Sequence, residues 1–176
     1  AILIQTASSN INKDYPVEYW QELIQKLEAQ YQLPVYQICK ANQAIPSVQL
    51  LPSSTMREAM AAVKYCTLLI SLDSAFNHVA KAFNKPCVVL FGQTHPERFG
   101  YAENINIWCG ETWHAGFQPD LDQLKLNCQK LPSSLLQKGH HPYMLLNTPD
   151  VVFSSIARTS LVSTVEFLEA SLKTTL

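Results

Sequence analysis

LLISLDSAFNHVAKAFNKPCVVLFGQTHPERFG, residues 68–100, is the stretch whose reading decides the fold. Residues 68–72 are a short apolar run, the pattern of a strand buried on both faces. Asp73 and Ser74 follow at its carboxyl end. Ser74 is a natural N-cap, which predicts a helix running to about residue 84. Within it Phe76, Ala80 and Phe83 recur at helical spacing and are expected to face a sheet. Pro86 restarts the chain for a second apolar strand, 87–91, ending at Gly92. The stretch is therefore one βαβ unit with polar residues at both strand ends, where open parallel sheets bind ligands.

Working outward, residues 2–5 read as a strand and 6–13 as a small polar loop. Val17, Trp20, Ile24, Leu27 and Tyr31 repeat by threes and fours, which predicts an amphipathic helix over 17–30. Pro34 introduces a strand at 35–39, and a short strand is expected near 48–51. Met56, Met60 and Val63 mark another helix, capped by Ser54 or Thr55. A further strand is expected at 105–108. This alternation predicts a Rossmann-like, three-layer α/β/α domain with a mainly parallel sheet. Residues 109–148 show little periodicity. They read as a long irregular excursion with at most a short helix near 121–126, and such a loop is usually functional or mobile. Two helices over about 150–174 are expected to close the chain, the first capped by Asp150 and the second striped by Leu161, Val165, Leu168 and Leu172.

The chain has 176 residues, for which a single domain is expected over its whole length. With 47% hydrophobic and 15% charged residues it can bury a core and is not of the disordered class. A net charge of −1 offers no broad attraction to nucleic acid. The five cysteines, Cys39, Cys66, Cys87, Cys109 and Cys128, are odd in number and irregular in spacing, which speaks against a disulfide framework and for a reducing cytoplasm. No signal peptide is expected, and the 176 residues hold no membrane-length apolar run, so membrane contact is expected to be peripheral at most.

The start of the 75–84 helix carries the most chemistry. A helix N-terminus at a strand end presents free N–H groups and a partial positive charge, which suits a pyrophosphate. The plainer reading is an ordinary capped helix. No Gly-x-Gly-x-x-Gly or Walker loop occurs, which disfavours dehydrogenases and NTPases. The spacing of Cys109, Cys128 and the histidines at 114, 140 and 141 gives zinc no support. No metal and no cofactor are expected.

Asp73, Ser74, His78, Ala80, Ala82, Pro86, Leu90, Phe91, Gly92, Thr94, Pro96, Arg98 and Gly100 match, in order, a long signature. It resembles that of glycosyltransferase family 9, the ADP-heptose:lipopolysaccharide heptosyltransferases and their relatives, with Ala75 where the family usually has Gly. Lys13, Pro16 and Trp20 extend the match towards the start, and YMLLNTPDVVFSSI, residues 143–156, extends it towards the end, with Tyr143 in place of a Cys. The resemblance implies the C-terminal, donor-binding half of a GT-B architecture. It implies a nucleotide-diphospho-sugar, ADP-heptose, and inverting transfer to a lipopolysaccharide-type acceptor. An N-terminal acceptor-binding domain would supply the catalytic base, so no catalytic residue and little transfer are expected of this chain alone. The implied setting is the cytoplasm of a Gram-negative bacterium, including the inner face of its inner membrane.

The resemblance also assigns roles. Ser74, Ala75 and the following N–H groups would hold the diphosphate, with His78 touching the phosphates. Asp73 would bind the sugar hydroxyls, which requires a sugar or cation between it and the diphosphate. Lys13 would neutralise the leaving diphosphate, the chief electrostatic demand of glycosyl transfer. Thr6, Ser8 and Ser9 would lie close to the phosphates, and Thr94 near the sugar or phosphate. Read without the resemblance, Lys13 is a solvated loop lysine and Thr6 to Ser9 a plain polar turn. Gly92 would serve the turn itself, and Arg98 is as easily an ion-pair partner as a ligand contact. Two rivals remain. One is a degenerate binding or regulatory module of the same fold. The other is a different sugar-nucleotide enzyme such as an epimerase.

Overall fold

The strands expected from the apolar runs all form, and they assemble into one sheet. A computed structural model describes residues 1–39, 43–46, 48–51 and 55–158. The strands are β1 (Ile2–Gln5), β2 (Val35–Ile38), β3 (Gln49–Leu50), β4 (Leu68–Leu72), β5 (Cys87–Phe91), β6 (Ile105–Trp108) and β7 (Glu111–Trp113). Their order across the sheet is β3-β2-β1-β4-β5-β6-β7. All neighbours pair in parallel except β6 and β7. The chain thus winds outward in one direction from β1 and in the other from β4. At that reversal the loops leaving the two strands part, and a crevice opens at their carboxyl ends.

Side-chain alternation sends each strand's residues to two cores. Leu68, Ile70 and Leu72 join Ile2, Ile4, Val88 and Leu90 on one face. That face is covered by α1 (Val17–Tyr31) through Trp20, Leu23, Ile24, Leu27 and Tyr31, and by α8 (Pro149–Ala157) through Val152 and Ile156. Leu3, Leu69, Val89 and Phe91 face the other side. There α2 (Met56–Tyr65) packs Ala59 and Val63, and α3 (Ala75–Ala82) packs Val79 and Ala80. The three-layer α/β/α reading is correct.

Helix ends follow their caps. Thr55, of the two candidates, starts α2 in a capping box with Glu58: its hydroxyl accepts from the Glu58 N–H at 3.2 Å, and the Glu58 carboxylate accepts from the Thr55 N–H at 2.9 Å. Helix α3 stops at Ala82, two residues before the expected end, because Asn84 adopts a left-handed φ of 56°. Asp150 is not the cap of α8. Thr148 is, with Pro149 at the first helical position, and Asp150 in the first turn pairs with Lys26 of α1 at 2.9 Å. The expected second closing helix, with its stripe from Leu161 to Leu172, lies outside the described residues.

The excursion at 109–148 is not irregular. It holds β7, α5 (Leu121–Gln129), α6 (Ser133–Gln137) and α7 (Pro142–Leu146). Each piece is too short to show a period by itself. A two-residue turn, Cys109-Gly110, joins β6 to β7, with φ of 56° and 84°. Two successive positive φ values give the tight hairpin twist, and Gly at the second position accepts it without strain. Asn147, fully buried, fastens this unit to the sheet. Its Nδ2 donates to the Phe91 carbonyl at 2.8 Å, and its Oδ1 accepts from the Gly110 N–H at 2.9 Å.

Replacing Asn147 by Leu strips partners from the buried Phe91 carbonyl and the half-buried Gly110 N–H together. The expected loss is about 2 to 4 kcal/mol of unfolding free energy. Urea denaturation followed by circular dichroism measures it, and an unchanged midpoint would show that the excursion is held by its apolar contacts alone.

Candidate functional site

The polar ends of β1, β4 and β5 meet at the crevice. The loop after β1 closes through a 3₁₀ turn, Ile11–Lys13, capped by Asn10. That turn is pressed against the loop after β5. A Cβ on Gly92 would lie 3.1 Å from the Asn12 carbonyl oxygen and 3.2 Å from the Met144 Cβ. Gly92 therefore serves by permitting close approach rather than by an unusual φ. The approach carries Lys13 across to β4, where its Nζ donates to Asp73 Oδ2 at 2.8 Å. Thr94, from the loop after β5, donates its hydroxyl to the same oxygen at 2.7 Å.

Lys13, Asp73 and Thr94 thus form one cluster from three loops. The Asp73 side chain is 7% exposed and that of Lys13 is 29% exposed. A buried carboxylate requires such donors. The cluster also supplies the cation that an aspartate beside a diphosphate needs. An ammonium has three donors, so Lys13 can hold Asp73 and still face an anion.

Beside the cluster lies a cavity of about 640 Å³. Its polar wall includes Ser8, Ser9, Lys13, Asp73, Ser74 and Ala75, and its apolar wall Ile38, Met56, Ala59 and Phe76. The first turn of α3 borders it. The Ser74 hydroxyl accepts from the Phe76 N–H at 3.3 Å, and the Ser74 carbonyl accepts from the Asn77 N–H at 3.2 Å. The Ala75 N–H, at the first helical position, has no acceptor within its own helix. The Ala75 methyl is exposed on the cavity wall.

Other candidates are placed elsewhere. His78 is exposed, its Nδ1 is 2.9 Å from the Tyr101 hydroxyl, and it does not line the cavity. Thr6 is buried and takes a hydrogen bond from the Gln37 amide. Ser8 lines the cavity, but its hydroxyl is engaged with the Asn10 backbone at 2.8 and 3.0 Å, and its N–H donates to Asp14 at 2.8 Å. Arg98 is exposed, with its guanidinium carbon 5.7 Å from the Phe99 ring centre. His95 caps α4 (Pro96–Phe99) and packs against Trp108, ring centres 4.4 Å apart.

Sequence reading missed the apolar wall and two buried glutamines, Gln5, which lines the cavity, and Gln37 within β2. The available signal was a polar residue inside or ending an otherwise apolar strand. Cys39, partly exposed, also lines the cavity. Burial raises its thiol pKa somewhat; it pushes Cys66 up to about 11 and Cys109 up to about 12. Among the described residues no group of three His, Cys, Asp or Glu gathers as a metal site, and no helix is long and apolar enough to cross a membrane.

A family model described as glycosyltransferase family 9 (heptosyltransferase) matches residues 1–127. The chain belongs to this family. No curated protein sequence matches it. Among solved structures, it is similar to the E. coli ADP-heptose lipopolysaccharide heptosyltransferase II, with TM-score 0.64 and 19% identity over 96% of this chain and 47% of that one. The E. coli heptosyltransferase WaaC with ADP gives TM-score 0.52 and 20% identity over 60% and 36%. The dodecameric iron-containing heptosyltransferase TibC in complex with ADP-D-beta-D-heptose, from enterotoxigenic E. coli, gives TM-score 0.60 and 15% identity over 93% and 45%. The family 9 chain thus spans between a third and a half of these relatives, and its fold is that of a GT-B glycosyltransferase domain.

The cluster is expected to behave as a unit. Lys13→Met alone leaves Asp73 short of a donor, whereas Lys13→Met with Asp73→Asn removes both charges. A double-mutant cycle by thermal unfolding should give a coupling of about 1 to 2 kcal/mol. Simple additivity would mean that the ion pair does not hold the loops together.

Proposed function

We propose that this chain is the donor-binding half of a heptosyltransferase-like glycosyltransferase and holds a nucleotide-diphospho-sugar, ADP-heptose, in the cavity at the carboxyl ends of β1 and β4. The observation that carries this reading is the Lys13–Asp73–Thr94 cluster beside the α3 N-terminus on a cavity of about 640 Å³. That volume suits a ligand of nucleotide size. The wall of Ile38, Met56, Ala59 and Phe76 supplies apolar contact for a base, while Lys13 and the Ala75 N–H meet the diphosphate. ADP and ADP-heptose in two of the structural relatives support the choice of nucleotide.

In the reaction, an acceptor hydroxyl attacks the anomeric carbon as the bond to the diphosphate breaks, with inversion. Charge grows on the departing phosphate oxygen. Lys13 and the helix N-terminus oppose it with fixed donors, the preorganised stabilisation that lowers such barriers. Asp73 aligns Lys13 and offers its carboxylate to the sugar hydroxyls. The acceptor, a lipopolysaccharide-type glycan, and the general base belong to an N-terminal half. The setting is cytoplasmic, and no metal takes part. A second reading, a binding module without transfer, draws on Ala75, whose methyl stands on the cavity wall where a glycine would let phosphate come closer.

Calorimetric titration with ADP, UDP and GDP tests the reading. Binding of ADP is expected, with about a tenfold loss in Lys13→Met, equivalent to about 1.4 kcal/mol. Equal, weak binding of all three, unchanged in the variant, would remove the donor site. A second check uses the cavity cysteine. Iodoacetamide at pH 8 is expected to label the partly exposed Cys39 and Cys128 ahead of buried Cys66, Cys87 and Cys109. ADP should protect Cys39 and leave Cys128 reactive.

A further inference from the structure

Gln5 is the last residue of β1, paired in register with Ser71 of β4, and it is almost fully buried in the floor of the cavity, which it lines. It is a neutral amide in the one place where the two diverging halves of the sheet meet. Its orientation is set by two backbone groups that have only one role each. The Leu72 N–H can only donate, and it points at Gln5 Oε1 from 3.3 Å. The Ala7 carbonyl can only accept, and it takes the Gln5 Nε2 hydrogen. The amide therefore has its oxygen towards β4 and α3 and its nitrogen towards the loop after β1.

This orientation decides what Ser74 does. Gln5 Oε1 lies 2.9 Å from the Ser74 hydroxyl and, having no hydrogen, can only accept. The Ser74 hydrogen is thereby committed inward, and its oxygen is left to accept from the Phe76 N–H. The Ser71 hydroxyl, 3.1 Å from the same Oε1 and 2.7 Å from the Leu72 carbonyl, closes the knot. One side chain thus joins both lips of the cavity: the Ser8–Ser9 loop through Ala7, and the α3 cap through Ser74.

We propose that Gln5 is the positioning residue of the phosphate cradle. It sets the separation of the two lips and turns the Ser74 hydroxyl away from the ligand, so that the diphosphate is held by the Ala75 N–H and Lys13 and not by the serine side chain. This rests on the donor-site reading above. It adds that a residue almost fully buried in the cavity floor, acting through Ala7 and Ser74, governs affinity for the phosphates in particular. A leucine at position 5 would fill similar volume yet release Ala7, Leu72 and Ser74 at once. The lips would then relax independently, and the serine hydroxyl would be free to compete with the ligand for the backbone donors.

The test compares ADP with adenosine on the full chain by calorimetry, for wild type, Gln5→Leu and Val63→Ala. Val63 is a fully buried core residue of α2 and does not line the cavity, so its truncation controls for lost stability. Amide hydrogen exchange at Ser8–Asn10 and Ser74–Asn77 is followed in the ligand-free proteins. Gln5→Leu is expected to weaken ADP binding about tenfold while leaving adenosine affinity within about twofold. It should also speed exchange in both segments, whereas Val63→Ala should leave the ADP-to-adenosine ratio at the wild-type value. If Gln5→Leu keeps the wild-type ratio, the proposal is overturned even where stability falls. If wild type binds neither ligand, the donor-site reading fails instead, and exchange alone decides whether Gln5 couples the lips. Exchange in both segments no faster in Gln5→Leu than in Val63→Ala would sink it.

Discussion

The parallel pairing of β1 with β4 is the constraint on which the rest of this structure depends. Every other strand is added outward from that pair, in opposite directions. The loops leaving β1 and β4 must therefore diverge, and divergence leaves backbone groups and polar side chains at the strand ends without ladder partners. Water or a ligand can satisfy such groups, but those lying beneath the surface need partners within the chain. Gln5 answers this need between β1 and β4, and Gln37 between β2 and the loop that follows it, where its Oε1 accepts from the Ile45 N–H at 2.8 Å. The crevice is thus a consequence of strand order, and its polar floor is a consequence of the crevice.

The same geometry explains why an aspartate can stand in a site suited to a diphosphate. Alone, a carboxylate near the α3 N-terminus would oppose an approaching anion by several kcal/mol at short range and low dielectric. Lys13 and Thr94, both on Asp73 Oδ2, offset that charge from two other loops. The ion pair is nearly neutral from a distance but strongly dipolar at contact. It can present the ammonium to a phosphate and the carboxylate to a hydroxyl. Sequence separation makes this dear in chain entropy, since residues 13, 73 and 94 must be ordered together, and the parallel sheet meets that cost by bringing all three strand ends to one edge.

How much of this was legible in the chain differs by element, for physical reasons. The strand at 68–72, the helix after Ser74 and the strand at 87–91 were readable because burial on both faces and amphipathic periodicity leave strong, long patterns. The excursion was not. Its strand and helices run three to nine residues, and they are fastened by a buried asparagine, the Cys109-Gly110 turn and buried apolar residues such as Leu124 and Met144, none of which leaves a periodic pattern. The Cys-Gly pair between two tryptophan-bearing segments was a hairpin signal, though weaker than Asn-Gly. Within the site, the family likeness points to Lys13, Asp73 and Thr94 one by one. That they share one oxygen is a matter of distance and had no counterpart in spacing. His78, implied in the same way, sits outside the cavity, where its Nδ1 lies 2.9 Å from the Tyr101 hydroxyl and its ring packs edge-on against the Tyr101 ring.

That last point bears on what a phosphate site of this kind needs from its helix. A helix N-terminus binds anions through backbone N–H groups, which no substitution short of proline removes. Side chains at the first turn then act chiefly by holding the turn open to the ligand and by not filling the space above it. Ser74 meets the first requirement by capping. Ala75 meets the second less fully than glycine would, since its methyl occupies part of the cavity wall. The cap is secured from beneath by Gln5, and the turn is already formed with no anion bound. The ordering cost of forming the cradle is then borne by folding and does not fall on ligand binding. A preformed cradle of this kind tolerates a small steric penalty at Ala75 that a mobile one, which must also order itself around the ligand, would not.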